Sequence, residues 1–476
     1  MIQVSFFATP PSFERRVMPD QFASYSEAMR YLFTLTDYER GLNLKPRTTP
    51  KLGLERMAKL LESVGNPERR LRAVHVAGTK GKGSTSAMVA NALSAAGNRV
   101  GLFIKPHVED IRERIQVNGQ WIPEDAVVRQ LNRMYDYMRR CETKEEGLYS
   151  PTFFEAYMAV AFMYYESEDL DFTVIEVGMG GRLDATNVLQ PLVCAITPVS
   201  MDHMERLGNT LEAIAGEKAG IIKEGVPVVC GPQQPEALQV IRNKCREKNA
   251  RLLVFGEDFT VAPSARGLNV TTWNGSLENV RLAMPGRHQH ANAATAVAIL
   301  ALMREMGVAK LTDDQIRDGI AATALPARVE LVRRRPPTVV DAAHNPASIE
   351  ALLAALKAEF KFDRLICVFA VNREKDADAI LRLLAQDASH VIFTTMKSSH
   401  PCPPEELAEM MKKIGPQAIT VEHDLRTAIR RAESLAGPNG LICVCGSFYL
   451  AGDARKLLKD AEKKRKVKAG HRTKRT

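Results

Sequence analysis

Short apolar runs rich in Val, Ile and Phe alternate along the chain with longer stretches in which apolar residues recur every three to four positions. The first pattern is that of a strand buried on both faces and the second that of a helix lying on it, so the alternation predicts parallel sheets covered by helices. One series of strands is predicted to begin at Ala73 (AVHVA), Arg99 (RVGLFI), Phe172 (FTVIEV), Leu192 (LVCAIT), Val226 (VPVVC) and Arg251 (RLLVF). A second begins at Thr338 (TVVDA), Arg364 (RLICVFA), His390 (HVIFT), Ala418 (AITV) and Gly440 (GLICVCG). Between the two series a long amphipathic helix is predicted from His288, and a second around Asp313 to Ala324 that ends near Pro326. Two α/β domains are therefore expected, residues 22–325 and 326–460, preceded by a flexible extension at 1–21 and followed by a basic tail at 461–476.

The composition fits that division. A chain of 476 residues, 45% hydrophobic and 25% charged, can bury two cores, which excludes disorder or a fibrous repeat as its main state. No apolar run approaches the roughly 20 residues that span a bilayer, and MIQVSFFATPPSFERR lacks a continuous signal-peptide core, so a cytoplasmic protein without membrane contact is expected. Five of the 8 cysteines (Cys194, Cys230, Cys367, Cys443, Cys445) lie inside apolar strand-like runs and read as reduced core thiols. The net charge of +9 changes its meaning once it is located: residues 455–476 hold 11 basic and 2 acidic side chains, and the rest of the chain is electroneutral. Nucleic-acid binding would rest on this tail alone, and a solvated helix end is the reading preferred there.

The strongest local signal is AVHVAGTKGKGSTSAMVANALSAAG, in which a buried strand passes through Gly78, Thr79, Gly81 and Gly83 into a helix. Glycines let backbone N–H groups turn around an anion, and the helix N-terminus adds a favourable dipole. Lys82 can reach the outer phosphates of a nucleotide, and Ser84 or Thr85 offers a hydroxyl to Mg2+. Lys80 reads equally as a solvated loop lysine or a phosphate-facing one. Glu176 in EVGMGGRLDATN ends one predicted strand, and Asp202 and His203 follow the next, where parallel sheets place their ligands. A carboxylate and an imidazole there can share a hard cation, although oxygen is the commoner ligand of Mg2+.

With these come TFFEA, DHMERLGNTLEAIAGEKAGIIK, GRHQHANA, LPARVE, VDAAHNP and CGSFYLAGD. In this order they make the chain resemble the folylpolyglutamate synthase and dihydrofolate synthase family of the Mur ligase superfamily, from about Ser24 to about Arg455. The resemblance implies a P-loop parallel-sheet ATP-binding domain followed by a smaller Rossmann-like glutamate ligase domain. It implies an ATP-dependent acid–amino-acid ligase that joins L-glutamate to dihydropteroate, to a tetrahydrofolate polyglutamate, or to both, through an acyl phosphate. Carried over residue by residue, Gly81, Lys82, Gly83 and Ser84 match the ATP loop, with Gly78, Thr79 and Thr85 beside them assigned to the same nucleotide, and Glu176 and His203 match the magnesium ligands. Lys218 matches a lysine that the family carries as a carbamate. Thr152, Phe153, Phe154 and Glu155, with Leu183, Asp184 and Ala185, match segments that hold the pterin. Asn292, Arg328 and Asp341 match ATP contacts, and His344, with Lys82 and Lys218, is assigned to catalysis. ATP and Mg2+, in two sites, are the expected cofactors, and a monomer is expected.

One position departs from the pattern. Where the family reads S-P-H after the second strand, with the Ser contributing to a magnesium site, this chain reads Lys105-Pro106-His107. An ammonium does not ligate Mg2+. Hydroxyls of the phosphate loop and water complete the shell, or the first metal site is weakened, or Lys105 contacts phosphate; the first is the expectation adopted. A peptidoglycan-type Mur ligase and a non-catalytic P-loop nucleotide-binding protein are the alternatives the motifs leave open.

Overall fold

The computed structural model describes residues 21–37, 53–143, 148–202, 204–398, 400–415 and 418–472. Residues 1–20 of the expected extension and 473–476 of the tail lie outside them. Eight strands form the first sheet: β1 (Ala73–Ala77), β2 (Val100–Phe103), β3 (Ile115–Val117), β4 (Gln120–Trp121), β5 (Phe172–Glu176), β6 (Val193–Ile196), β7 (Val228–Cys230) and β8 (Leu252–Val254). A small antiparallel sheet follows, of β9 (Phe259–Ser264), β10 (Gly267–Thr272) and β11 (Gly275–Val280). The third sheet holds β12 (Glu330–Arg334), β13 (Pro337–Val340), β14 (Arg364–Phe369), β15 (His390–Phe393), β16 (Ala418–Val421) and β17 (Gly440–Cys445).

The first sheet is ordered β4-β3-β2-β5-β1-β6-β7-β8, with β3 and β4 antiparallel and the rest parallel. Side chains of β1 alternate between two cores. Val74 and Val76 face the helices Lys82–Ala95, His288–Glu305 and Asp313–Ala321. Ala73 and Ala77 face the opposite side, which is covered by Phe153–Ser167 and Leu211–Ala219. Phe153–Ser167 is buried nearly all round, as its uniformly apolar composition requires. The order places the neighbours β5 and β6 on either side of β1, so the chain reverses its direction of winding there. The crevice at the carboxyl end of β1 is the place where such sheets bind ligands.

The third sheet is ordered β12-β13-β17-β14-β15-β16, with only β12 antiparallel. All eight cysteines are buried and none is in a disulfide, in agreement with their reading as core thiols. The periodicity did not predict β3, β4, β9 to β12. These strands lie at sheet edges or on the surface and expose polar side chains, so no continuous apolar run marks them. Asn274-Gly275 at the β10–β11 turn was the local hairpin signal available.

The helix Phe448–Arg472 closes the fold and continues without a break through residues 461–472. Its Arg455 donates Nε–H to both carboxylate oxygens of Glu330, at 2.8 and 3.0 Å, and pairs with Glu109 on the loop between β2 and β3. Val108 of the same loop packs beside Leu450 and Ala454. The second domain therefore grips the loop that leaves β2. Removing Arg455 leaves two carboxylates sharing one half-buried place. We expect Arg455→Ala to lower unfolding free energy by about 1–3 kcal/mol, between the values for exposed and buried pairs. Adding Glu109→Gln should cost little more, and additive losses in urea titrations would show that Arg455 acts elsewhere.

Candidate functional site

The loop after β1 is shaped by what its glycines touch. Gly78 has φ +143 and Gly81 has φ +85, both in the region that favours glycine. A Cβ on Gly81 would stand 2.2 Å from Asn292 Oδ1, and one on Gly78 would stand 1.9 Å from Thr197 Oγ1. The loop is thus pressed between β6 and the start of the helix His288–Glu305. Asn292 is held in turn, donating Nδ2–H to Gln289 Oε1 at 2.9 Å. The N–H groups of Thr79 and Lys80 donate to Pro198 O, and the Thr79 hydroxyl donates to Ser200 O and accepts the Ser200 N–H, each at 3.1 Å. Thr79 therefore ties the phosphate loop to the segment that carries Asp202. Ser84 and Thr85 are buried in the first helical turn, and Thr85 Oγ1 has no hydrogen-bond partner among the described residues.

Around this loop the carboxyl ends of three strands bring charges together. Glu176, at the tip of β5, lies 3.8 Å from Lys82 Nζ and accepts the Lys105 N–H at 3.0 Å. Burial raises the Glu176 pKa, and the nearby Lys82 ammonium opposes that rise. Burial lowers the pKa of Lys82 and of Lys80. Lys218, on the helix Leu211–Ala219, donates Nζ–H to Gly78 O at 2.9 Å, and burial with the Lys82 charge brings its pKa down to about 7. Lys82, Lys218, Glu176 and the P-loop hydroxyls are thus gathered in one place. His203 lies outside the described residues.

The donor set can be tested against a metal. Among the described residues no three His, Cys, Asp or Glu side chains gather into a cage. One buried carboxylate beside buried hydroxyls suits Mg2+, which keeps several waters and takes one or two carboxylates together with phosphate oxygens. It does not suit zinc, which takes a closed shell of nitrogen and sulfur ligands.

The second domain presents Arg328 on a strained segment. Ala327 and Val329 on either side have φ +52 and +47, unusual for residues with a Cβ and rarest for a β-branched one. Glu330 Oε2 accepts the Ala327 N–H at 3.0 Å, and Asp341 Oδ2 accepts the Val329 N–H at 2.7 Å. Asp341 Oδ1 accepts the Ala343 N–H, also at 2.7 Å. Burial raises the Asp341 pKa to about 6. Both of its oxygens are engaged by backbone, so this carboxylate fixes the turn that aims Arg328. The guanidinium lies over the Phe448 ring at 5.2 Å. His344 Nδ1 is 2.8 Å from Ala342 O, which can only accept, so the proton is on Nδ1 and Nε2 carries the lone pair. Burial lowers the His344 pKa to about 4.

The segments matched to pterin binding divide by task. Thr152 and Glu155 form a capping box at the start of Phe153–Ser167, and Glu155 also accepts two guanidinium donors of Arg56. Phe153 is fully buried and stacks between Phe33 and Tyr157. Phe154 alone of the four is only partly buried; it meets the Phe103 ring edge-on at 6.1 Å, and its ring edge is 2.8 Å from where a Gly178 Cβ would lie. Leu183 is partly exposed, and Ala185 is buried against the core under that helix. Asp184 accepts the Met179 N–H on one oxygen and the Thr186 N–H and hydroxyl on the other, at 2.6 Å for the hydroxyl. That hydroxyl has given its proton to Asp184, so it accepts from His75 Nε2 at 2.8 Å, which fixes the His75 tautomer. His75 Nδ1 is buried with no partner among the described residues. A wire of hydrogen bonds thus runs from the strand of the phosphate loop to the Asp184 turn. Sequence reasoning missed it because a lone histidine in an apolar strand reads as core.

Comparisons with known proteins agree on one family. Residues 135–300 match the Mur ligase middle domain and residues 327–448 the Mur ligase glutamate ligase domain. The dihydrofolate synthase/folylpolyglutamate synthase of Bacillus subtilis is 36% identical over 417 residues, 86% of this chain and 95% of that protein. Folylpolyglutamate synthase of Mycobacterium tuberculosis in complex with ADP superposes with a TM-score of 0.81 at 32% identity, covering 92% and 98% of the two chains. Escherichia coli FolC in complex with DHPP and ADP gives a TM-score of 0.80 at 29% identity, covering 94% and 100%.

The buried His75 makes stability depend on pH. Burial holds its pKa at about 3, against 6.5 ordinarily. Below pH 6.5 the unfolded chain takes up the proton that the folded one refuses, so this contribution to stability is lost as pH falls from 6.5 toward 3. His75→Gln keeps an amide donor for Thr186 and cannot titrate. Between pH 7 and 5 the wild type should lose about 2 kcal/mol more than the variant in urea titrations. Equal losses would mean that His75 does not titrate as its burial requires.

Proposed function

The chain belongs to the dihydrofolate synthase/folylpolyglutamate synthase family, and from that membership and the geometry of the cleft we infer how its residues divide the work. It is an ATP-dependent ligase that joins L-glutamate to the carboxylate of a pteroate or folate, releasing ADP and phosphate. Dual activity, on dihydropteroate and on tetrahydrofolate, is our reading. The observation that carries the assignment is the grouping of Lys82, Glu176 and Lys218 at the strand tips around Gly78–Thr85, with Arg328 aimed from the other domain.

A carboxylate is a poor acyl donor, so its oxygen first attacks the terminal phosphorus of ATP and ADP departs. The glutamate nitrogen then adds to the acyl phosphate, and phosphate leaves from the tetrahedral adduct as the amide forms. Lys82 and the N–H groups from Gly81 to Ser84 receive the phosphates and hold them in line, with Asn292 beside Gly81 on the same wall and Arg328 approaching from the second domain. Glu176 and Ser84, with His203, would hold Mg2+, which supplies positive charge to the phosphate oxygens when bound. His344 Nε2, neutral at working pH, accepts a hydrogen bond from the incoming amine. Phe154 and the Asp184 turn line the pterin side. Eight buried cysteines without a disulfide support a reducing compartment such as the cytoplasm, and no helix among the described residues is long and apolar enough to cross a membrane.

Lys218 is proposed to work as a carbamate. A pKa of about 7 leaves a large neutral fraction, and the neutral amine adds to CO2 with loss of a proton, replacing a cation near Lys82 by an anionic oxygen ligand. Protein equilibrated with 13C-bicarbonate should show a carbamate carbon resonance that Lys218→Arg lacks. Its absence from the wild type would leave Lys218 as a simple hydrogen-bond donor to Gly78.

The reaction is tested with purified protein, ATP, Mg2+ and labelled glutamate, offering dihydropteroate and tetrahydrofolate separately and resolving products by mass. Each is expected to gain glutamate with one ADP per bond. An 18O label in the substrate carboxylate should appear in the released phosphate; unlabelled phosphate would exclude the acyl-phosphate route.

A further inference from the structure

Lys105 has no part in the division of labour above, yet it stands between the two halves of the site. Its backbone N–H holds Glu176 at 3.0 Å on the phosphate side. Its ammonium lies 6.0 Å from the centre of the Phe154 ring on the pterin side. Phe154 in turn closes the wall beside Gly178, two residues beyond Glu176. Lys82 Nζ lies 3.8 Å from the same Glu176 carboxylate that the Lys105 N–H holds, and the Lys105 charge lowers the pKa of both Lys82 and Lys218. The loop that carries Lys105 is fixed at its far end, where Glu109 pairs with Arg455 and Glu113 accepts the N–H groups of Val108, Glu109 and Asp110. The position of this lysine is set by the fold at both ends of the loop.

A substrate whose ring rests near Phe154 and whose carboxylate must meet phosphate near Lys82 has to pass this ammonium. We propose that Lys105 contacts the substrate directly, pairing with the carboxylate that is to be phosphorylated. This rests on the reading of the cleft as a pteroate and ATP site. An ammonium brings three donors and one positive charge to a carboxylate without needing a metal ion. It lessens repulsion between the substrate carboxylate and the approaching triphosphate, and it remains beside the oxygens when the acyl phosphate forms. The role differs from the expectation of a metal shell completed around a displaced lysine, because Lys105 then acts on the organic substrate.

The test separates charge recognition from shape. Dissociation constants of dihydropteroate and of its methyl ester, which keeps the ring and lacks the charge, are measured by calorimetry with a non-hydrolysable ATP analogue and Mg2+ present throughout. For Lys105→Met the acid should bind about tenfold or more weakly, the size expected for loss of a charge-assisted hydrogen bond, while the ester changes less than about twofold. Lys105→Arg, which keeps the charge, should retain most of the acid's affinity, and its measurement stands if the Met variant fails to fold. Equal weakening of acid and ester, or no weakening of the acid, would overturn the proposal. Failure of the wild type to bind either pteroate would instead overturn the substrate reading on which it rests.

Discussion

An excess of positive charge held at the tips of two sheets is the constraint on which the rest of the site depends. Lys80, Lys82, Lys105 and Lys218 come from the first domain and Arg328 from the second, with Glu176, Asp202 and Asp184 as the acidic groups whose charges act on the three shifted lysines, Lys80, Lys82 and Lys218. For Lys80, Lys82 and Lys218 burial is the leading cause of a lowered pKa, and the neighbouring cations add to it. Such a cluster is costly in the absence of anions. It matches a reaction whose ligands are a triphosphate, a carboxylate and an amino acid. The same repulsion acts between domains, since the Arg328 charge is felt at Lys80. A polyanion bound between the two walls would offset that repulsion.

Holding like charges near one another takes rigidity, and the fold supplies it with carboxylates turned toward backbone. Asp341 binds two N–H groups and so holds Val329 in a conformation that costs of order 1–3 kcal/mol. Glu113 binds three on the loop behind Lys105. Asp184 binds two, with a threonine hydroxyl between it and His75. In each case backbone N–H groups engage the acid directly, while Asp341 still feels the Arg328 charge and Lys218 the Asp184 charge. A carboxylate paired directly with Arg328 would have kept it from a phosphate.

How much of this was legible in the sequence follows from the same physics. Buried parallel strands are apolar at most positions on both faces, so β1, β5, β6, β14 and β17 show plainly, and the phosphate loop shows because its glycines are required by contact. Edge strands such as β12 and the β9–β11 sheet answer partly to solvent and carry no comparable run. Within TFFEA the sequence marks four residues alike, yet the fold gives Phe153 to an aromatic stack and leaves Phe154 partly buried beside Gly178. That choice depends on where Phe33 and Gly178 lie, far away along the chain. Asp341 is similar: its place in VDAAHNP points to the nucleotide, and only the structure shows both oxygens bound to backbone.

Net charge is the least local of sequence quantities, and here it misdirects twice. Counting +9 into residues 455–476 treats Arg455 and Lys459 as members of a solvated tail. Arg455 is instead a largely buried partner of Glu109 and Glu330, and Lys459 reaches Glu330 at 3.5 Å, so the start of that segment belongs to the domain interface. Conversely, an electroneutral body is not a neutral cleft. A charge in a partly desolvated crevice acts over its few ångströms with little screening, whereas an acidic residue exposed elsewhere on the surface counts equally in the tally and is screened by water. What a phosphate or carboxylate meets is the local set of lysines and Arg328, and that set is fixed by which strand tips the topology of the first sheet brings beside β1.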